Sequence, residues 1–190
     1  MSAIIRYIIN MMPYMAITVP IYLIARIVFV KAKKIKSTVQ HEIALFVFVV
    51  FLVGLASQTI IPKIEFGANG FNFVQNGTHR TNLIPFKVLF ETYYEVFVNG
   101  NLNYFLINFL GNILIFIPVG LFIPLLWKTS GKITVLIGFC SSFFIESCQL
   151  FLARGTDVDD LILNTTGTLL GFLIFNVFQK YFKNLVEKFK

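Results

Sequence analysis

Charge is scarce in this chain. Asp, Glu, Lys and Arg make up 13% of its 190 residues, against 57% hydrophobic residues and a mean hydropathy of +0.79. A soluble domain carries about 25% charged residues, so an ordinary water-soluble fold is excluded. Cysteine is nearly absent as well. Cys140 and Cys148 are the only two, separated by roughly 12 Å along one predicted helix at about 1.5 Å per residue, which exceeds disulfide reach. They read as inert buried thiols without a redox role, and a disulfide-built scaffold is excluded. Zinc-finger spacing and arginine-rich groove-reading helices are missing, so the net charge of +7 does not point to nucleic acid. The alternating segments of about 10 residues that build a transmembrane β-barrel are missing too.

What the chain has in quantity is phenylalanine, 23 residues along its whole length, set in continuous apolar runs. Five segments are long enough to cross about 30 Å of hydrocarbon: Ile8–Phe29, Ile43–Ile61, Tyr104–Leu126, Ile133–Leu152 and Leu161–Phe178. The expected class is an all-α membrane protein, a bundle of about five transmembrane helices. Pro13 and Pro20 should kink the first of them. That segment is too long for a cleavable signal peptide, and no small-x-small cleavage site follows it, so it reads as a retained helix.

Lysines mark the loops. Lys31, Lys33, Lys34 and Lys36 follow the first span, Lys128 and Lys132 the third, and Lys180, Lys183, Lys188 and Lys190 the fifth. With five spans all three groups share a side, which the positive-inside rule assigns to the cytoplasm. The N-terminus is then outside and the C-terminus inside, in a multi-pass bacterial cell-membrane protein. Short lysine blocks beside apolar runs also suit contact with anionic lipids. Three parts are expected: residues 1–61 with two spans and a basic cytoplasmic loop, 62–180 with a long outer loop and three spans, and a basic tail at 181–190.

The outer loop, Pro62–Asn103, carries two local signals. Asn69-Gly70 sits between Glu65-Phe66 and Phe71-x-Phe73 as a hairpin turn would. Phe86, Leu89, Phe90, Tyr93 and Phe97 recur at helical spacing, with Lys87, Glu91 and Glu95 on the other face. This is an amphipathic helix that lies either in the outer interface or against the spans.

Polar groups inside the spans are few and share one level. Asn108 and Asn112 are four apart in the outer half of the third span. Glu146 and Gln149 lie near the outer end of the fourth, and Asp160 and Asn164, again four apart, near the outer start of the fifth. Arg154, Asp157 and Asp159 form the turn above them. A carboxylate within a span costs a few kcal/mol by insertion scales and normally faces a partner or a water-filled cavity. Each residue also has a structural role open to it. The asparagines could bond across helices at roughly 0.6 kcal/mol per contact, Glu146 could be satisfied by Gln149 or an asparagine, and Arg154 could pair with Asp157. Asp157 or Asp159 could cap the fifth helix. Gly167 and Gly171 read as a close-packing pair, while Gly120 and Pro118 set helix approach or let backbone line a cavity. Separate structural roles do not explain why the polar residues of three helices share one leaflet.

At these residues the chain resembles the VanZ-like family, membrane proteins associated with resistance to teicoplanin-type glycopeptide antibiotics. The matching pieces are Arg80-Thr81-Asn82-Leu83-Ile84-Pro85-Phe86, Asn108-Phe109-Leu110-Gly111-Asn112 running into Phe116-Ile117-Pro118-Val119-Gly120, and Glu146-Ser147-Cys148-Gln149. Arg154-Gly155-Thr156-Asp157-Val158-Asp159-Asp160 and Asn164-Thr165-Thr166-Gly167 complete the set. They occur in family order over residues 80–175, whereas the first 60 residues carry no comparable signature. The resemblance implies a bacterial cell-envelope role linked to lipoglycopeptide resistance, and no particular chemistry.

Two mechanisms fit. A binding protein would hold an amphiphile, either the lipoglycopeptide antibiotic or a cell-wall lipid precursor, in an outer-leaflet polar site framed by phenylalanines. Arg80 and Arg154 would then meet phosphate or carboxylate, and Asp157, Asp159 and Asp160 an ammonium group. An intramembrane enzyme would instead use Glu146 as general acid or base with Asp157 or Asp160 as partner. Asp157, Asp159, Asp160 and Asn164 are oxygen donors of the kind that hold Mg²⁺ or Ca²⁺. The site holds no His and no Ser or Cys nucleophile at motif spacing, and His41 and His79 lie apart from it. Binding, without catalysis or a cofactor, is therefore the expected mode. Five spans without an inverted repeat argue against a transporter.

Overall fold

The apolar segments fold as five long helices, and polar side chains cap the starts of three of them. The computed structural model describes residues 3–61, 63–67, 70–74, 81–152 and 155–189. Helix α1 runs Ala3–Lys33 and continues through Pro13 and Pro20. Helix α2, Val39–Thr59, starts at Thr38, whose Oγ1 accepts the N–H of His41 at 3.1 Å. This satisfies one of the donors a helix start leaves free. The third span is composite: α4 (Leu102–Tyr104), a π-helical stretch over Phe105–Leu110, and α5 (Gly111–Trp127). Ser130 caps α6, Gly131–Phe151, and Asp157 caps α7, Val158–Tyr181, by accepting the N–H of Asp159 at 2.9 Å. All five spans have the length and apolarity to cross a membrane. Each begins a few residues ahead of its hydropathic core, while α2 ends two residues and α6 one residue before the end of its own.

The tightest seam joins α5 and α7. A Cβ on Gly120 would come within 1.9 Å of the Thr168 carbonyl oxygen, and one on Gly167 within 2.1 Å of the Ile113 oxygen. Backbones therefore touch here, as they do between membrane helices that associate through small residues. Gly120 is committed to this contact, not to lining a cavity. Helix α2 leans on α5 through Phe48, which stacks on Phe122 at 5.3 Å and meets Trp127 edge-on at 6.1 Å. Helix α1 packs on α2 alone among the spans to any extent, and Ile17, Ile21 and Ile24 are each more than 60% exposed. In water such a surface would be a liability; in hydrocarbon it is simply matched to its solvent.

The C-terminal residues are docked, which the expectation of a simple basic tail did not include. After α8 (Lys183–Val186) and a 3₁₀ turn over Glu187–Phe189, Val186 is fully buried against Leu125 and Phe175. Thr38 Oγ1 donates to the Lys188 carbonyl at 2.5 Å, and His41 Nδ1 lies 2.7 Å from that of Phe189. The α1–α2 loop and the chain's last residues thus share one end of the bundle.

The other end carries the long loop between α2 and the third span. Strands β1 (Lys63–Gly67) and β2 (Gly70–Val74) form an antiparallel hairpin with Gly67 opposite Gly70; Asn69 of the expected turn lies outside the described residues. A two-residue strand β3 (Thr81–Asn82) pairs in parallel with β4 (Thr156–Asp157). Helix α3, Lys87–Phe97, follows β3. Its aromatic face is uncovered, with Phe90 76% and Phe97 75% exposed. Its other face is tied down: Lys87 pairs with Glu91 at 3.3 Å, Glu91 accepts the hydroxyl of Tyr104, and Glu95 accepts amide protons of Asn99 and Asn101 at 3.0 Å each.

Candidate functional site

The site forms where β4 turns into α7. Glu146, buried near the end of α6, accepts the backbone N–H of Asp157 at 3.0 Å. Asp157 in turn uses one carboxylate oxygen twice, accepting the Asp159 N–H and the side-chain amide of Asn82 at 2.8 Å. The long loop is thereby fastened to the α6–α7 turn by a side-chain bond as well as by the β3–β4 pair.

Asp159 is 2% exposed, and both of its oxygens point at backbone donors of the long loop. Oδ1 accepts the N–H of Phe86 at 2.5 Å and Oδ2 that of Val88 at 2.7 Å. A carboxylate bonded to backbone N–H groups at a helix start is stabilised by both the hydrogen bonds and the helix dipole. Phe86, at the head of α3, has φ +65°, a conformation that non-glycine residues adopt at a cost. The Asp159 bond helps hold it there.

Asp160, one residue further on, accepts the amide of Asn112, linking α7 to α5. Asn112 Nδ2 also lies 3.1 Å from the Asn108 carbonyl. Asn108, in the π-helical stretch, donates to the Tyr104 carbonyl at 3.2 Å, so its amide N–H serves its own helix. π-Bulges are frequent at functional sites, and this one lies a turn from Asn112.

Two expected members face elsewhere. Gln149 donates to the Thr59 carbonyl at 3.4 Å, turning toward α2. Asn164 donates to Ser142 Oγ at 2.9 Å inside the α6–α7 interface, a partner that no residue spacing announces. Arg80 and Arg154 lie outside the described residues, as does His79. The three aspartates are engaged by different donors, and among the described residues no three His, Cys, Asp or Glu side chains gather as a metal site needs. Gln149 Oε1, Thr156 Oγ1 and Asn164 Oδ1 are buried without a hydrogen-bond partner among the described residues. Such atoms call for explanation; of the three, Thr156 is next to Asp157 in β4.

Five membrane-length helices with carboxylates and amides gathered at one end, beneath an aromatic-faced helix, define a multi-pass membrane protein with a polar site at its surface. The model of the VanZ/LLP1 family matches residues 46–179, and the chain belongs to that family, which is associated with glycopeptide resistance. The match covers every residue of the site and begins within α2. No curated protein and no solved structure matches the chain.

Proposed function

We propose that the protein binds an amphiphile at the outer surface of the bacterial cell membrane and thereby modulates resistance to teicoplanin-type lipoglycopeptides. The observation that carries this reading is the pairing of opposites at one place. The carboxylate and amide cluster of Glu146, Asp157, Asp160, Asn82 and Asn112 lies directly beneath α3, whose Phe90 and Phe97 are uncovered. An amphiphile offers the matching pair, a hydrogen-bonding head and an apolar tail. Capture of the antibiotic, or of an envelope lipid with which it competes, lowers its effective concentration at cell-wall precursors.

The protein itself holds these carboxylates in place, which supports a fixed recognition surface. Asp157 and Asp159 are spent on amide donors, and Glu146 holds the turn through the Asp157 N–H. The orientation, with this end outside and the basic loops inside, follows from the lysine distribution.

Purified protein should retain a labelled lipoglycopeptide and release no modified product. Glu146→Gln and Asp157→Asn, expressed to wild-type level, should lose both retention and resistance; unchanged resistance would sink the proposal. A converted lipid in the mass spectrum, abolished by Glu146→Ala, would establish an enzyme instead. Reporter domains fused after Lys36 and after Gln75 should read cytoplasmic and external, respectively.

A further inference from the structure

The opposite end of the bundle carries a second, separate feature. Helices α1 and α2 diverge around a cavity of 580 Å³. Its walls are apolar, formed by Leu23 and Ile27 of α1 and by Ile43 and Phe46 of α2; Arg26, Lys31 and Ser37 stand at its polar end. Five positive charges and one negative lie between residues 26 and 42. The negative one, Glu42, is occupied by Arg26 through two bonds of 2.7 and 2.8 Å. Lys31, Lys33, Lys34 and Lys36 are exposed, and no salt bridge engages them among the described residues. The hydroxyl of Tyr22, another wall residue, is buried without a partner among the described residues.

We infer that this groove is a binding site for one anionic phospholipid, its acyl chain between α1 and α2 and its phosphate at Lys31. The charge complementarity decides the occupant. An apolar groove alone does not select one lipid over another, because lipid tails are as apolar as the helix surfaces they meet. The unpaired lysines do select, since each basic residue near an anionic lipid surface is worth roughly fivefold in association. The site is independent of the carboxylate cluster at the other end.

The test uses full-length protein in nanodiscs containing equal amounts of phosphatidylglycerol and phosphatidylcholine with identical chains, followed by native mass spectrometry of the lipids retained on gentle detergent extraction. Wild type should hold phosphatidylglycerol about tenfold over phosphatidylcholine. Lys31→Glu should reduce that preference by roughly tenfold or more, and Ile27→Trp, which fills the groove and leaves every lysine in place, should also abolish tight retention. Lys128→Gln with Lys132→Gln, in the other basic loop, should change nothing. Equal retention of the two lipids by wild type overturns the inference. So does retention that survives Ile27→Trp, or a loss in the Lys128/Lys132 variant equal to that in Lys31→Glu; either result would mean general attraction to basic loops.

Discussion

The carboxylate of Asp159 reaches back across the chain to the N–H of Val88, 71 residues earlier in sequence, at 2.7 Å. With its second bond to Phe86 at 2.5 Å, it fixes the start of α3 from beneath. Asp159→Ala should cost about 1.5–3 kcal/mol, the range for hydrogen bonds to a charged group. The loss should be local: amide exchange over residues 86–97 should accelerate while the spans stay protected. Asp159→Asn, with one acceptor oxygen in place of two, should fall between. Uniform loss of protection throughout the bundle would refute the local role.

Gly120→Ala and Gly167→Ala should each destabilise the bundle by about 3 kcal/mol or more, beyond the usual cost of overpacking. The new Cβ would meet backbone carbonyls at 1.9 and 2.1 Å, and backbone cannot rotate aside. Gly100→Ala, where nothing lies within 4 Å and only the positive φ of 67° is strained, serves as the mild control. Thermal unfolding in detergent distinguishes them.

Arg26 and Glu42 form a bidentate pair between α1 and α2 with side chains 20% and 31% exposed. Removing one partner strands the other charge in a span, whereas removing both does not. The double variant Arg26→Leu with Glu42→Leu should therefore be more stable than either single one. A double-mutant cycle should give an interaction of about 0.5–3 kcal/mol. Strict additivity of the two changes would show that the pair contributes nothing.

Asn164 and Asn112 separate helix packing from ligand recognition. Ser142→Ala removes the Asn164 bond, a contact of the interhelical kind worth roughly 0.6 kcal/mol. It should leave resistance intact. Asn112→Leu removes the donor to Asp160 and should lower amphiphile retention at equal expression. Equal effects on retention from both changes would count against a site centred on Asp160.

Phe90→Ser combined with Phe97→Ser should scarcely alter unfolding, because both rings are at least three-quarters exposed. It should weaken retention of an acylated ligand while sparing a deacylated analogue. If the two analogues lose affinity equally, the aromatic face of α3 does not receive the tail.

The five spans were legible because hydropathy is a local property summed over a segment. The asparagine and carboxylate residues were legible as a group because polar side chains are costly in hydrocarbon and stand out against it. Pairings across sequence were not. Nothing at Thr81-Asn82 announces a parallel partner at Thr156-Asp157, and a two-residue strand has no periodicity to read. Gln149 and Glu146, three apart on α6, were expected on one face of the site. A helical spacing of three leaves enough angle for Gln149 to bond Thr59 on α2 while Glu146 bonds Asp157. The docking of Val186 escaped notice for a similar reason: its burial depends on Leu125 and Phe175, neither adjacent in sequence.

Trp127 is the chain's single tryptophan, held edge-on to Phe48 where α2 meets α5. Its ultraviolet emission is therefore an unlabelled optical gauge of that one junction. A shift in wavelength or intensity on adding a ligand would report whether an event at the far end of the bundle is transmitted along α5, without any dye or engineered cysteine.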